Sequence, residues 1–461
     1  YCTNKDIGFD YLRDSLTMSA HRGRERLQNE KVIERGDRLD KQLLRGLHIS
    51  IDDEIDRVLI DEARTPFIIS GSDKSGADET LYGTAIELAG KLEEDADFDI
   101  DNEDRAARLT DKGREHLGDL ADALPPSWRS KRAREELIQQ ALAALHLFEL
   151  DKHYLIKDGK VHIIDEYTGR VMPDRSWERG LHQLIEIKEG CEISARQGTL
   201  ARITYQRLFR RYLRVAGMTG TAEEVRPELE AVYDLRTVQV PPNRPSQRRD
   251  LGCSLYLTAA EKWDAVASSI AAMQKEGRPV LVGTRSVAAS EKLSAELEPL
   301  GIEHVVLNAR QDAAEAEIVA LAGLPGRVTV ATNMAGRGTD IHLAEDSCSA
   351  GGLHVILTEY HESPRIDRQL FGRCARQGDP GTHEAIVSLQ DEIFQQHAAA
   401  SANGIASRYA DVGGALPPWS GKYLRVLAQR SAEWKNAQTR RATIALDKKL
   451  DSALGFAGRT E

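Results

Sequence analysis

Val328-Thr329-Val330-Ala331-Thr332-Asn333-Met334-Ala335-Gly336-Arg337-Gly338-Thr339-Asp340 carries two signals in one stretch. Its first five residues are apolar or β-branched, the composition of a buried strand. Its second half sets an arginine among glycines and small residues, which permits a tight backbone and close approach of a ligand. Similar strand-like runs occupy 280–283, 304–307, 353–357 and 385–389, and helical patterns fill 287–300, 312–321 and 364–377. Short β-rich runs separated by helices predict an α/β fold with a doubly wound parallel sheet. In such sheets ligands sit where the loops leave the carboxyl ends of strands. The Arg337 loop lies in that position.

A second stretch, Gln369-Leu370-Phe371-Gly372-Arg373-Cys374-Ala375-Arg376-Gln377-Gly378-Asp379, follows another strand-like run. The pattern predicts a helix over 364–377, with Ser363 as N-cap, Pro364 in its first turn and Gly378 at its end. Gln369, Arg373 and Gln377 would then recur at i, i+4 and i+8, with Arg376 three residues from Arg373, on adjoining parts of one face. Gly372 would sit mid-helix at about 1 kcal/mol relative to alanine, which predicts close approach of another backbone. Arginines so placed can offset the charge that develops in phosphoryl transfer. The plainer reading pairs them on the surface with Asp340 or Asp379.

The first 70 residues hold a second, incomplete α/β pattern. A strand at 49–51 runs into Asp53-Glu54-Ile55-Asp56, and 67–70 is another apolar run. In a Walker-B-like reading, Asp53 holds Mg²⁺ through its water shell and the next carboxylate, Glu54, orients the attacking water. Acidic residues at strand ends are common, so this signal is weak by itself. Residues 93–104 read as an acidic, solvated loop. From 71 to about 190 the α/β rhythm breaks. Tyr154-Leu155-Ile156-Lys157, Asp158-Gly159 and Lys160-Val161-His162-Ile163-Ile164 predict a two-residue hairpin, and this region reads as a separate inserted domain. A long helix is expected over 199–215, a strand over 237–240, a linker at 241–245 and a long polar helix over 421–453.

Composition sets further limits. The chain has 461 residues, 41% hydrophobic and 29% charged, with a formal net charge of −11. That balance describes an ordinary globular protein of several domains and argues against a broad nucleic-acid-binding face. Cys2, Cys191, Cys253, Cys348 and Cys374 form no CxxC pair, so neither a disulfide framework nor a zinc site is expected, and isolated cysteines fit a reducing compartment. His342, His354, His361 and His383 lack metal-ligand spacing. No apolar run approaches the roughly 18–20 residues of a membrane span. The pattern G-x-x-x-x-G-K-[ST] is absent from the 461 residues. Residue 1 is Tyr, so the chain reads as part of a longer protein.

Taken in order, these motifs resemble the SecA family of preprotein translocase ATPases, from residue 1 to about 394. The resemblance rests on Thr3-Asn4 with Gly8-Phe9-Asp10-Tyr11-Leu12-Arg13-Asp14, on the run from Asp53 to Ser70 with Ile60-Asp61-Glu62-Ala63-Arg64-Thr65-Pro66, and on Asp165-Glu166-Tyr167-Thr168-Gly169-Arg170. Gly180-Leu181-His182-Gln183, 217–222, Val282-Gly283-Thr284, 333–341 and 369–379 extend it. It implies two RecA-like parallel-sheet lobes, the first incomplete (1–70 and 191–240) and the second at 241–395. It also implies an inserted α+β preprotein-binding, cross-linking domain at 71–190 and a C-terminal helical segment, the start of a scaffold, at 396–461. It implies ATP and Mg²⁺ as cofactors, with Asp53, Glu54, Arg337, Arg373 and Arg376 in catalysis and Gly338, Asp340 and Gln377 in nucleotide binding. The implied partners are a preprotein, the SecYEG channel, the membrane surface and, as one option, a second copy of the chain. The implied location is the cytoplasmic face of the bacterial plasma membrane. Phe371 stands where the family usually has Arg, Cys374-Ala375 where it has Ser-Gly, and Tyr360 where it has Arg, which fits a divergent or accessory branch. The alternatives are a superfamily 2 nucleic-acid helicase, which shares the two-lobe ATPase, and a non-catalytic preprotein-binding relative.

Overall fold

The computed structural model describes residues 1–19, 42–72, 79–101, 106–121, 124–125, 128–150, 153–157, 159–164, 171–172, 176–177, 179–194, 197–307, 315–332, 340–410 and 413–456. The described chain divides into two compact units, Tyr1–Ser70 with Thr199–Glu461, and Gly71–Gly198.

The first unit is built around a six-stranded parallel sheet. Its strand order is Gln247–Tyr256, Pro380–Ser388, Leu353–Leu357, Val280–Thr284, Val328–Thr332, His304–Leu307. All five neighbouring pairs are parallel. Three of the four inner strands, Leu353–Leu357, Val280–Thr284 and Val328–Thr332, are buried at every residue, because helices cover both faces. Side chains alternate accordingly. Leu281, Val355, Leu357 and Val387 pack into one apolar cluster, and Val280, Val282, Val330 and Ile356 into another. Ala259–Lys275 on the second face starts at a capping box, with Thr258 accepting from the Glu261 amide and Glu261 accepting from the Thr258 amide. The edge strand Gln247–Tyr256 carries no buried alternation in its first half; its residues up to Gly252 are exposed. Only pairing with Pro380–Ser388 makes it a strand, which is why its sequence gives no warning of it.

The first lobe contains the parallel pair Ile49–Asp53 and Arg214–Met218, with Asp53 opposite Met218. Phe67–Ser72 pairs with Gln197–Ile203. Two expectations fail here. The helix expected over 199–215 is instead the strand Gln197–Ile203, the short helix Tyr205–Phe209 and the strand Arg214–Met218. Thr204 is the reason in part: its hydroxyl accepts from the Arg207 amide and so starts a helix in mid-pattern. Ile203, Tyr205, Leu208 and Phe209 then all reach the lobe's core with Leu12, Leu59 and Phe67. The strand expected over 237–240 does not form. Val238 and Val240 remain 80% and 83% exposed, and β-propensity counts only where a neighbouring strand offers a ladder. Beyond Asp56, Glu62 anchors the chain by accepting from Asn4 at 2.6 Å, Tyr205 at 2.9 Å and Arg57 at 3.0 Å. A helical segment closes the unit: Glu392–His397, Ala399–Arg408 and the long helix Pro418–Phe456.

The second unit is α+β with its own core, in which Phe98, Leu117, Ile138, Leu142, Tyr154 and Leu184 are buried together. Tyr154–Lys157 and Lys160–Ile164 form the expected hairpin, with Lys157 opposite Lys160 and Gly159 at φ +73°. Asp158, the other turn residue, and the motif 165–170 lie outside the described residues. The stretch read as a solvated loop contains a strand, Phe98–Asp101, paired antiparallel with Ala106–Leu109. Phe98, 1% exposed, pulls it in; acidic neighbours masked that apolar anchor.

Candidate active site

A cavity of about 600 Å³ opens between the two lobes of the first unit. Glu54, Gly220 and Thr221 line it from the first lobe, and Asp340, Arg368, Gln369, Arg373 and Arg376 from the second. Glu54 follows directly on the strand Ile49–Asp53 and takes φ +53°, unusual for a residue with a Cβ. Its amide donates to Asp53 Oδ1 at 3.0 Å, and its carbonyl accepts from the Arg57 amide at 2.9 Å. These bonds hold the turn that brings Glu54 to the cavity. Asp53 is exposed beside it and is not part of the lining.

The second-lobe wall depends on one short helix, Pro364–Phe371. Ser363 caps it, accepting from the Arg365 amide at 3.4 Å, and Pro364 fills its first turn. The helix ends at Phe371, six residues before the expected end. Ala375 and Gln377 are left-handed, at φ +54° and +56°, around a single 3-10 turn, Arg376–Gly378. Arg248, remote in sequence, donates through Nε and Nη2 to the Cys374 carbonyl at 3.2 and 3.1 Å and holds this irregular backbone. Gln369, Arg373 and Gln377 therefore do not share one helical face. Gly372 is the C-cap, not a mid-helix residue, and a Cβ there would meet the Arg368 carbonyl at 2.9 Å.

Three side chains of this helix cross to the first lobe. Arg365, 1% exposed, pairs with Asp56 and Asp61. Gln369 donates to Thr221 Oγ1 at 3.1 Å, and Arg368 pairs with Glu224 through both terminal nitrogens. Thr221 in turn donates to Asp56 at 2.8 Å. Burial pushes the Asp56 carboxyl up, but Arg365, Thr219 and Thr221 outweigh it and hold the group below its ordinary value. Arg376 meets Asp340 at 2.9 Å, and Gln377 donates to the same carboxylate at 3.4 Å. Burial raises Asp340 and its bond to Arg376 lowers it further, so it too stays low. Arg337 and Gly338 lie outside the described residues.

Residues 1–230 match the SecA DEAD-like domain, and 245–349 with 344–410 match the SecA P-loop domain. A protein translocase subunit SecA 2 of Nitrosospira multiformis is 52% identical over the whole of this chain, which spans 69% of that protein. SecA 2 of Bordetella avium is 48% identical, with all of this chain and 69% of that protein aligned. SecA 3 of Magnetococcus marinus is 44% identical, over all of this chain and 70% of that protein.

The chain belongs to the SecA family.

The six-stranded sheet is thus the RecA-like second lobe of a SecA fold. Sequence reasoning found Glu54, Asp340, Arg373 and Arg376, and the fold brings these four to one cavity. Asp53 and Gln377 stand beside it, outside its lining. The reading missed Arg365, Arg368, Thr221 and Glu224. Arg365, Arg368 and Gln369 recur at i, i+3 and i+4, the spacing of one helical face, and that was the available signal. The three departures from the usual SecA pattern are each absorbed by packing. Phe371 packs against His383 with ring centroids 4.2 Å apart and the rings tilted by 33°. Cys374 is buried and donates to the Phe371 carbonyl at 3.2 Å. Tyr360 is buried beneath the Arg425 guanidinium, 5.6 Å from its ring centre.

Proposed function

We propose that this SecA-family chain forms the lobes of an ATP-driven motor that moves preproteins across the plasma membrane through the SecY channel. The observation that carries the reading is the cavity, lined by Glu54 and Asp61 from one lobe and by Arg248, Arg368, Arg373 and Arg376 from the other. Such an arrangement suits phosphoryl transfer, where positioning and charge stabilisation supply most of the catalysis. Glu54 would orient the attacking water, its strained backbone holding the carboxylate at the cavity. Arg373 would meet the terminal phosphate. Arg376 would exchange its Asp340 partner for phosphate oxygens, with Asp340 and Gln377 guiding that exchange. Arg337 and Gly338 would act on the same nucleotide, as the SecA resemblance implies.

Asp53 is exposed at the carboxyl end of a strand, and its oxygens are hard donors of the kind Mg²⁺ accepts through its water shell. The ion would there neutralise charge on the nucleotide's phosphates. Residues 71–190 would grip the preprotein, and the helical segment from 396 would begin the scaffold that meets the membrane-bound channel from the cytoplasmic side. Because the sequence has no G-x-x-x-x-G-K-[ST] cradle, the 461-residue chain alone is expected to hydrolyse ATP poorly, and brisk Mg²⁺-dependent turnover by it would refute that.

The deciding experiment uses a longer polypeptide that includes a phosphate loop. There, Arg373→Ala should lower kcat on the order of 10³-fold. An unchanged kcat would leave Arg373 a structural role only.

A further inference from the structure

We propose that Glu362 is a positioning residue: its one carboxylate joins Arg64 of the first lobe, Arg285 of the second lobe and Asn436 of the long helix, so that a displacement of the helix alters how the lobes close. Arg64 Nη1 lies 3.0 Å from Glu362 Oε2, and Asn436 Nδ2 donates to the same oxygen at 2.7 Å. Arg285 Nη2 approaches Oε1 at 3.8 Å, while its Nη1 holds Glu359 at 3.2 Å. Glu362 and Arg285 are 15% and 14% exposed, so these are not the screened surface pairs that contribute little. Burial disfavours the Glu362 charge, yet Arg64, Asn436 and Arg285 together hold the carboxyl below its usual range. The group therefore stays ionised and needs its partners.

Each partner comes from a different element. Arg64 ends the 3-10 turn Glu62–Arg64, beyond Asp61. Arg285 sits between the strand Val280–Thr284 and the cap of the helix Val287–Leu297. Asn436 lies on Pro418–Phe456, where Glu433 accepts from Ser363 at 2.7 Å and Gln429 donates to Asp367 at 2.7 Å. Gln429, Glu433 and Asn436 thus form a polar stripe at i, i+4 and i+7 along the start of the arginine helix. On that stripe's partner segment, Glu362 also holds a first-lobe cation, Arg64. If Asn436 withdraws, Oε2 loses one of its two donors, and the carboxylate is held less firmly between Arg64 on that oxygen and Arg285 on the other. How firmly it is held sets whether the lobes stay joined at this point. The consequence for ATP rests on the functional reading above; the junction itself does not.

Hydrogen exchange on the full 461-residue chain, read by mass spectrometry, tests it. Asn436→Ala should raise exchange about tenfold at residues 62–66, whose Arg64 shares Glu362 Oε2 with Asn436, and Asn436→Gln should bring it back toward wild type. Glu362→Gln should raise exchange at 62–66, 283–288 and 432–440 together. Effects confined to the segment that carries each substitution would overturn the proposal, even if Glu362→Gln proved too unstable to read. Binding of a fluorescent ATP analogue, followed separately on a longer polypeptide that includes a phosphate loop, bears only on the cavity. A chain that fails to bind it but shows the coupled exchange would sink the functional reading and keep the junction.

Discussion

Charges taken out of water govern this protein at the scale of single residues. Asp56 is fully buried, its Oδ1 has no partner, and Oδ2 takes the hydrogen bonds of Arg365 and Thr221. Removing the cation strands the carboxylate, so Arg365→Met should destabilise the first unit by about 3–5 kcal/mol, measured by urea unfolding. A loss under 1 kcal/mol, roughly the worth of a surface pair, would show that water or a proton on Asp56 had compensated. The pH dependence follows from the same pair. The folded-state pKa of Asp56 is depressed, so its contribution is fully present above about pH 4 and is lost as pH falls through the folded value. The urea midpoint should therefore fall on acidification through that window, and Asp56→Asn should flatten part of the fall. Asp53-Glu54-Ile55-Asp56 was legible as a motif, but which acid was buried was not, because that depends on a partner 309 positions away.

The helix Pro364–Phe371 shows what an element adds to its residues. Its start was readable, since a serine cap and a proline act within one turn. Its end was not, since Arg248 and two left-handed residues decide it. The long helix then steadies it from outside. Gln429, 2% exposed, donates to the His361 carbonyl at 2.9 Å and to Asp367 at 2.7 Å. Gln429→Leu keeps the volume and removes both donations. The variant should cost about 1–3 kcal/mol, because two buried acceptors lose a donor. Equal urea midpoints for wild type and variant would mean the contact carries no stability. In the same lobe, Thr258→Ala should cost about 1 kcal/mol by removing a capping box.

At the scale of the molecule, two cores are separate. The cluster around Leu142 and Leu184 draws on residues of the Gly71–Gly198 unit alone, from Tyr82 to Ile185. A polypeptide of residues 71–198 should consequently unfold cooperatively in urea, as followed by circular dichroism. A broad, featureless transition would show that this unit depends on the rest of the chain. The other unit takes its order from distant pairing, with first-lobe strands contributed by residues near 50 and near 215.

What the sequence by itself determined was local and periodic. Five of the six strands in the second lobe and the hairpin were readable from runs of apolar residues and turn signals. Burial on one or both faces writes a period into the chain, and a period can be read without knowing the neighbour. Only the tertiary structure decided the edge strand Gln247–Tyr256, the early end at Phe371 and the division of labour among the arginines. Arg365 and Arg368 cross to the first lobe, Arg368 also lining the cavity that Arg373 and Arg376 face. Those outcomes depend on ladders and ion pairs whose two halves lie far apart in sequence, and no local pattern records them.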